Sequence, residues 1–227
     1  MKVSHVCWSV FSGDDVSDTA CRPVGSHRGE TFREMAAEPR VMELSRSVVT
    51  DEAEAYRESE PLVTVEDQHL DILPGMFADG EFGRRDAEWV VRWYFRRFLG
   101  AYPDAERRRR EEAFRTNDFG TVRDVLVDLR SLDAVDALDR LTALDGVDVP
   151  VATAFLQFSA PDAYIVVGAR EWSVLHEAGE LADPYPDPPS PADYHTYLET
   201  CRRLADAFDC ALPTLYRALW RLGRPED

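Results

Sequence analysis

Two carboxylates flank a glycine in the run Leu144-Asp145-Gly146-Val147-Asp148, and Val149-Pro150-Val151 follows at once. A glycine lets the backbone turn sharply and approach a phosphate, and the N–H groups that open the next helix can hold its oxygens. Gly146, Val147, Asp148, Val149 and Val151 are therefore candidate phosphate contacts. A plain αα-hairpin fits the same run. Asp145 and Asp148 place negative charge where a phosphate would sit, so direct contact is repulsive. Further along, Glu171 is a candidate acid–base group, and His176 and His195 are candidate proton shuttles. The alternatives are solvated helix positions for Glu171 and Glu177 and structural histidines. Arg92 and Arg96, with Arg97, Trp93 and Tyr94, can supply phosphate contacts and a stacking surface, and Arg170 is a further candidate contact. The competing reading puts the aromatics in the core with the arginine stems lying beside them.

Helices must position these groups. Asp86 can cap a helix with Trp89, Val90, Trp93, Tyr94 and Phe98 on one face. Pro103 suits the first turn of another, with Asp104 and Glu106 at its positive end and Arg107 to Arg110 after them. A third follows Asn117 or Asp118, with Val122, Val125, Leu126 and Leu129 inward. Ser131 can cap a fourth that carries Leu132, Val135, Leu138 and Leu141 and ends at the 144–148 turn. Pro150 opens the next, with Ala152, Phe155 and Leu156. Ser190-Pro191-Ala192-Asp193 has the form of a capping box with a first-turn proline, before a stripe from Tyr194 to Phe208. A last helix starts near Pro213. Before these, a polar helix is expected over about 38–58, with Val41, Leu44, Val48 and Val49 inward. Residues 61–82 hold Pro61, Pro74, Gly75 and Gly80 and read as a connector with at most short structure. No convincing long strand run appears, so the expected class is all-α.

The stretch from Leu144 to residue 168 resembles the helix-hairpin-helix of the DNA glycosylase superfamily (the HhH-GPD group). Leu144, Gly146, Val147 and Ala152 match that hairpin, and Pro161-Asp162-Ala163-Tyr164 turns into Ile165-Val166-Val167 as expected. The resemblance covers roughly residues 86–222 and implies a two-lobed helical bundle that binds double-stranded DNA in base excision repair. The family's catalytic aspartate position falls on Gly168. A carboxylate there stabilises charge on the sugar and orients water, and glycine does neither. Losing a general base costs on the order of 10²- to 10⁴-fold in rate. The position of the lysine in bifunctional relatives holds Pro150, and Lys2 lies far off in sequence, so Schiff-base chemistry is not expected. The resemblance also implies a monovalent-cation site at the hairpin. A potassium ion held by Asp145, Asp148 and the hairpin carbonyls would bridge to phosphate.

Composition bounds the rest. The chain has 227 residues and a net charge of −17. Lys2 is the only lysine, so arginine makes up the other 25 of its 26 basic residues. Abundant acid with almost no lysine resembles proteins of a salt-loaded, halophilic cytoplasm, where hydrated carboxylates keep the surface soluble; an acidic protein from a GC-rich genome has the same look. Between Arg84 and Arg130, 12 arginines face 9 acids, so that stretch is locally basic. No stretch has the length of a membrane span and no secretion signal is visible, so the expected compartment is the cytoplasm, with no membrane partner. Cys7, Cys21, Cys201 and Cys210 lack the spacing of a zinc or iron–sulfur site and read as free thiols. Residues 1–34 read as a flexible tail before a helical domain over 35–227. Three functions remain open: a DNA-binding protein of glycosylase fold without excision, an active monofunctional glycosylase using Glu171 as a displaced acid, and a helical interaction module that does not bind nucleic acid.

Overall fold

The structure is a computed structural model that describes residues 43–224. The expected tail over 1–34, with Lys2, Cys7 and Cys21, and also Val41, lies outside the described residues. The all-α class holds: there are ten α-helices and one 3-10 turn, with no strand among the described residues. In chain order they are α1 (Arg46–Ser59), α2 (Val63–Asp79), α3 (Arg84–Arg96), α4 (Asp104–Thr116), α5 (Phe119–Asp128), α6 (Ala134–Thr142), α7 (Val149–Ser159), α8 (Ala169–Glu177), α9 (Pro191–Phe208) and α10 (Leu212–Leu222).

The hub is α7. Every residue from Pro150 to Ser159 is buried, and a helix that is covered all round has to lie inside the bundle. It takes α2, α3 and α6 against its sides, while α1 and α8 pack on α10 and α4 packs on α3. Helix entries follow local chemistry. Asp118, Asp133, Asp148 and Ser190 each accept a backbone N–H from the first turn of their helix, satisfying donors that no carbonyl can reach. Asp133 rather than Ser131 caps α6, because Ser131 sits in the preceding 3-10 turn. Asp86 lies one turn inside α3, where its carboxylate accepts the Gly83 N–H at 2.8 Å.

The connector expected over 61–82 is instead the 17-residue helix α2, with Pro74 and Gly75 inside it. An interior proline removes one helix hydrogen bond, a penalty that local propensity counts in full. Burial of Leu73 and Phe77 against the bundle outweighs it. Gly80, at φ 67°, then ends the helix, a left-handed conformation that glycine adopts without a steric penalty.

A buried polar knot ties four helices together. Glu66 of α2 accepts from Tyr56 of α1 at 2.8 Å, from the Trp93 indole of α3 at 3.2 Å and from Arg217 of α10 at 3.0 and 3.1 Å. Burial pushes the Glu66 carboxyl up, and Arg217 and these hydrogen bonds oppose it. The carboxyl is tolerated inside because its acceptor positions are filled.

Candidate functional site

Residue 168 is placed by an extended segment with no neighbouring strand. Ile165, Val166 and Val167 are fully buried, so their backbone groups need partners from elsewhere. Side chains of α7 and α9 supply them. Gln157 accepts the Val166 N–H at 2.8 Å and Thr153 accepts the Val167 N–H at 3.1 Å. Tyr194 and Tyr197 donate to the carbonyls of Ile165 and Val166, each at 3.1 Å. The segment delivers Gly168 to the N-cap of α8.

Beside that N-cap lies a cleft of about 310 Å³. Asp148 and Pro150 from the hairpin side and Ala169 from the α8 side both line it, with Tyr94, Phe98 and Tyr185 among its aromatic walls. The hairpin and the first residue of α8, next to Gly168, thus share one concavity. Burial pushes the phenols of Tyr94 and Tyr185 up; Asp187 and Asp148 add to this at Tyr185. The cleft therefore holds neutral aromatic hydroxyls among carboxylates.

Gly168 has a structural explanation. A Cβ added there would stand 2.7 Å from Arg97 Nη2 and 2.7 Å from Glu171 Oε2. Those two side chains form an ion pair at 2.6 Å and are 2% and 0% exposed. They fill the space a side chain at 168 would take. Five aromatic rings surround the guanidinium, the nearest being Tyr94 and Trp220 at 4.6 Å each. Burial works against the Arg97 charge, but Glu171 and the neighbouring phenols outweigh it and hold its pKa above the ordinary arginine value. Glu171, expected on a solvated helix face if not catalytic, is instead in the core. Arg97, grouped by sequence with the surface arginines, is its partner. An arginine–glutamate pair so far apart in sequence leaves no spacing signal, and only the bundle brings it together.

The hairpin turns as expected, with Gly146 at φ 81°. Its tight approach is to protein, however: a Cβ at 146 would lie 2.5 Å from the Arg110 carbonyl oxygen and 2.8 Å from the Phe114 nitrogen of α4. Much of its hydrogen-bonding capacity is also used internally. Asn117 accepts from Asp145 N–H and donates to Asp145 C=O, each at 3.0 Å. Val147 N–H bonds the Leu144 carbonyl, and Val151 N–H bonds the Asp148 carboxylate at 3.1 Å. Asp148 also pairs with Arg110 at 3.1 Å. A potassium ion there would have to share Asp148 with Arg110 and the Asp145 carbonyl with the Asn117 amide. Val147 and Val151 are buried and their N–H groups are already bonded within the hairpin, so neither is open to a ligand.

No family model, curated protein or solved structure matches this chain.

The remaining expected contacts scatter. Trp93 and Tyr94 are core residues. At 100° per residue, Arg92 and Arg96 lie on the side of α3 opposite Tyr94, which lines the cleft. Arg170 is near the cleft, but its guanidinium lies 4.3 Å over the Trp220 ring. His176 bonds the Leu181 carbonyl at 3.1 Å, a structural role. His195 is on the exposed side of α9. Cys201 is buried, which pushes its thiol up, and Cys210 is half-buried. Sequence reading missed Leu99, exposed at 54% with φ 51°, in the turn between the cleft residues Phe98 and Tyr102. A hydrophobic residue in a left-handed turn carries no distinctive sequence pattern.

Proposed function

We propose that this chain is a DNA-binding protein that recognises lesions and does not excise bases, with the 310 Å³ cleft taking an extrahelical base or the gap beside it. One observation carries this reading: the hairpin and the first residue of α8, next to Gly168, line the same aromatic concavity although α7 separates them in sequence. Its size is at the lower end of small-molecule pockets. Leu99, exposed and next in sequence to the cleft residue Phe98, would serve as an apolar wedge of the kind that parts a base step. The burial of Glu171 in its pair with Arg97 supports the absence of excision, because a general acid must reach the reacting atom. The helical interaction module is the second reading. It is favoured by the consumption of hairpin donors by Asn117 and Asp148.

Fluorescence anisotropy with labelled duplexes in molar KCl separates the two. The proposal expects a duplex with an abasic-site analogue to bind more tightly than its intact counterpart, Leu99→Ala to weaken that preference several-fold, and no strand scission after alkali. Absence of binding to either duplex would sink the DNA reading and leave the interaction module. Base release by the wild-type protein would instead restore the displaced-acid enzyme.

A further inference from the structure

On the far side of α3 from the cleft, α2 and α3 enclose a second hollow, of about 180 Å³. Leu62, Val65, Trp89 and Trp93 make it apolar, and Arg92 and Arg96 stand on its edge. The apolar surface continues along α2. Val65 is 39% and Ile72 48% exposed, and at seven residues' spacing they share one helix face. They are two of only four exposed large hydrophobics among the described residues.

The charges beside this stripe are equally unusual. Arg85, Arg92 and Arg96 fall on one face of α3, and none is paired with a carboxylate among the described residues. All five arginines of α4 are so paired. Glu88, one turn before Arg92 on the same helix, is taken by Arg115 at 3.6 Å. In a chain of net charge −17, three uncompensated guanidiniums along an apolar groove make a surface complementary to something acidic and apolar at once.

We infer that the α2/α3 groove docks an acidic amphipathic helix from a partner protein. A bulky aliphatic or aromatic anchor fills the hollow over Trp93, and carboxylates one or two turns away meet Arg85, Arg92 and Arg96. Helix-in-groove recognition uses anchors at this spacing, and charge complementarity along the rim sets the direction of the bound helix. A nucleic acid suits the groove less well. The Trp89 face that a base would stack on is covered by His69, with ring centroids 3.5 Å apart and planes within 7°. An anionic bilayer suits it less well too, because the apolar surface is recessed and the whole molecule repels negative charge. This inference does not use the cleft and is independent of the DNA reading.

The test uses the full chain and a synthetic helical peptide with leucine at i, i+4 and i+7 flanked by glutamates, followed by tryptophan emission. Wild type is expected to bind it saturably, with weaker binding in higher salt. Arg92→Glu with Arg96→Glu should lower that affinity at least about tenfold, and Val65→Asp should lower it with the charges intact. The doubly reversed variant should in turn prefer the same peptide with lysine in place of glutamate. Because these positions are on the surface, circular dichroism should match wild type. No saturable binding of the glutamate peptide, equal affinity for the reversed variant, or displacement of the peptide by duplex DNA or phosphatidylglycerol vesicles would each overturn the inference.

Discussion

At the scale of single residues, the decisive pair is Arg97 and Glu171. Both are enclosed, and Arg97 Nε and Nη2 and Glu171 Oε2 have no hydrogen-bond partner within the protein. Such a pair contributes little net stability relative to an apolar replacement, but removing one charge strands the other. Glu171→Gln, nearly isosteric, is therefore expected to destabilise the fold by about 3–5 kcal/mol. Urea unfolding would read it, and a loss below about 1 kcal/mol would place the pair in water. Gly168→Asp belongs to the same argument. A carboxylate placed at 168 without making room pushes into both partners, so that variant should be less stable and inactive in base release. A stable, active Gly168→Asp protein would show that the pair yields easily.

Between residues and the whole molecule, the junction of hairpin and helix decides what the 144–150 turn can do. Asn117, at the end of α4, also donates to the Phe114 carbonyl at 2.9 Å, so one amide joins two elements. Asn117→Ala removes these bonds and should cost about 1–2 kcal/mol in urea unfolding. It should also raise hydrogen exchange at Asp145 selectively; unchanged protection there would mean the Gly146 contact with α4 suffices. The entry of α9 gives a pH signature. Ser190 donates from its N–H at 2.8 Å and its hydroxyl at 2.6 Å to Asp193, holding that carboxyl below the usual aspartate range. A group depressed in the folded state adds stability above its unfolded pKa and loses it as pH falls through the folded one. Asp193→Ala should thus cost about 0.5–1 kcal/mol at neutral pH, a cap's contribution reduced for solvent exposure. The gap to wild type should close in strong acid, and a gap independent of pH would assign the effect to packing.

Across the whole molecule, charge works against compactness. A net charge of −17 repels itself at low ionic strength, and salt screens exposed charges separated by more than about 10 Å at 0.1 M. The exposed ion pairs within α4 lose strength in the same salt, but pairs this open to solvent are individually weak. The Tm is therefore expected to rise as KCl is raised towards molar concentrations, measured by differential scanning calorimetry. A Tm that is flat or falls with salt would show that the surface pairs outweigh the repulsion.

Much of the architecture was legible from the order of residues because it depends on neighbours in sequence. The Ser190–Asp193 capping box, the α5 cap at Asp118, the glycine turn at 146 and the apolar stripe of α9 all act over a few residues. The all-α class followed from them. Three features depended on contacts across the chain. α2 forms through Pro74 because the bundle buries Leu73 and Phe77, a gain that local propensity does not contain. Glu171 lies in the core because Arg97 is there to meet it, and the cost of burying a charge depends on its partner rather than its type. Gly146 approaches α4 rather than open solvent because α4 happens to lie over the turn. Sequence determines which local structures are favourable; long-range packing and desolvation, set only in the assembled bundle, decide which of them persist and which surfaces remain for a ligand.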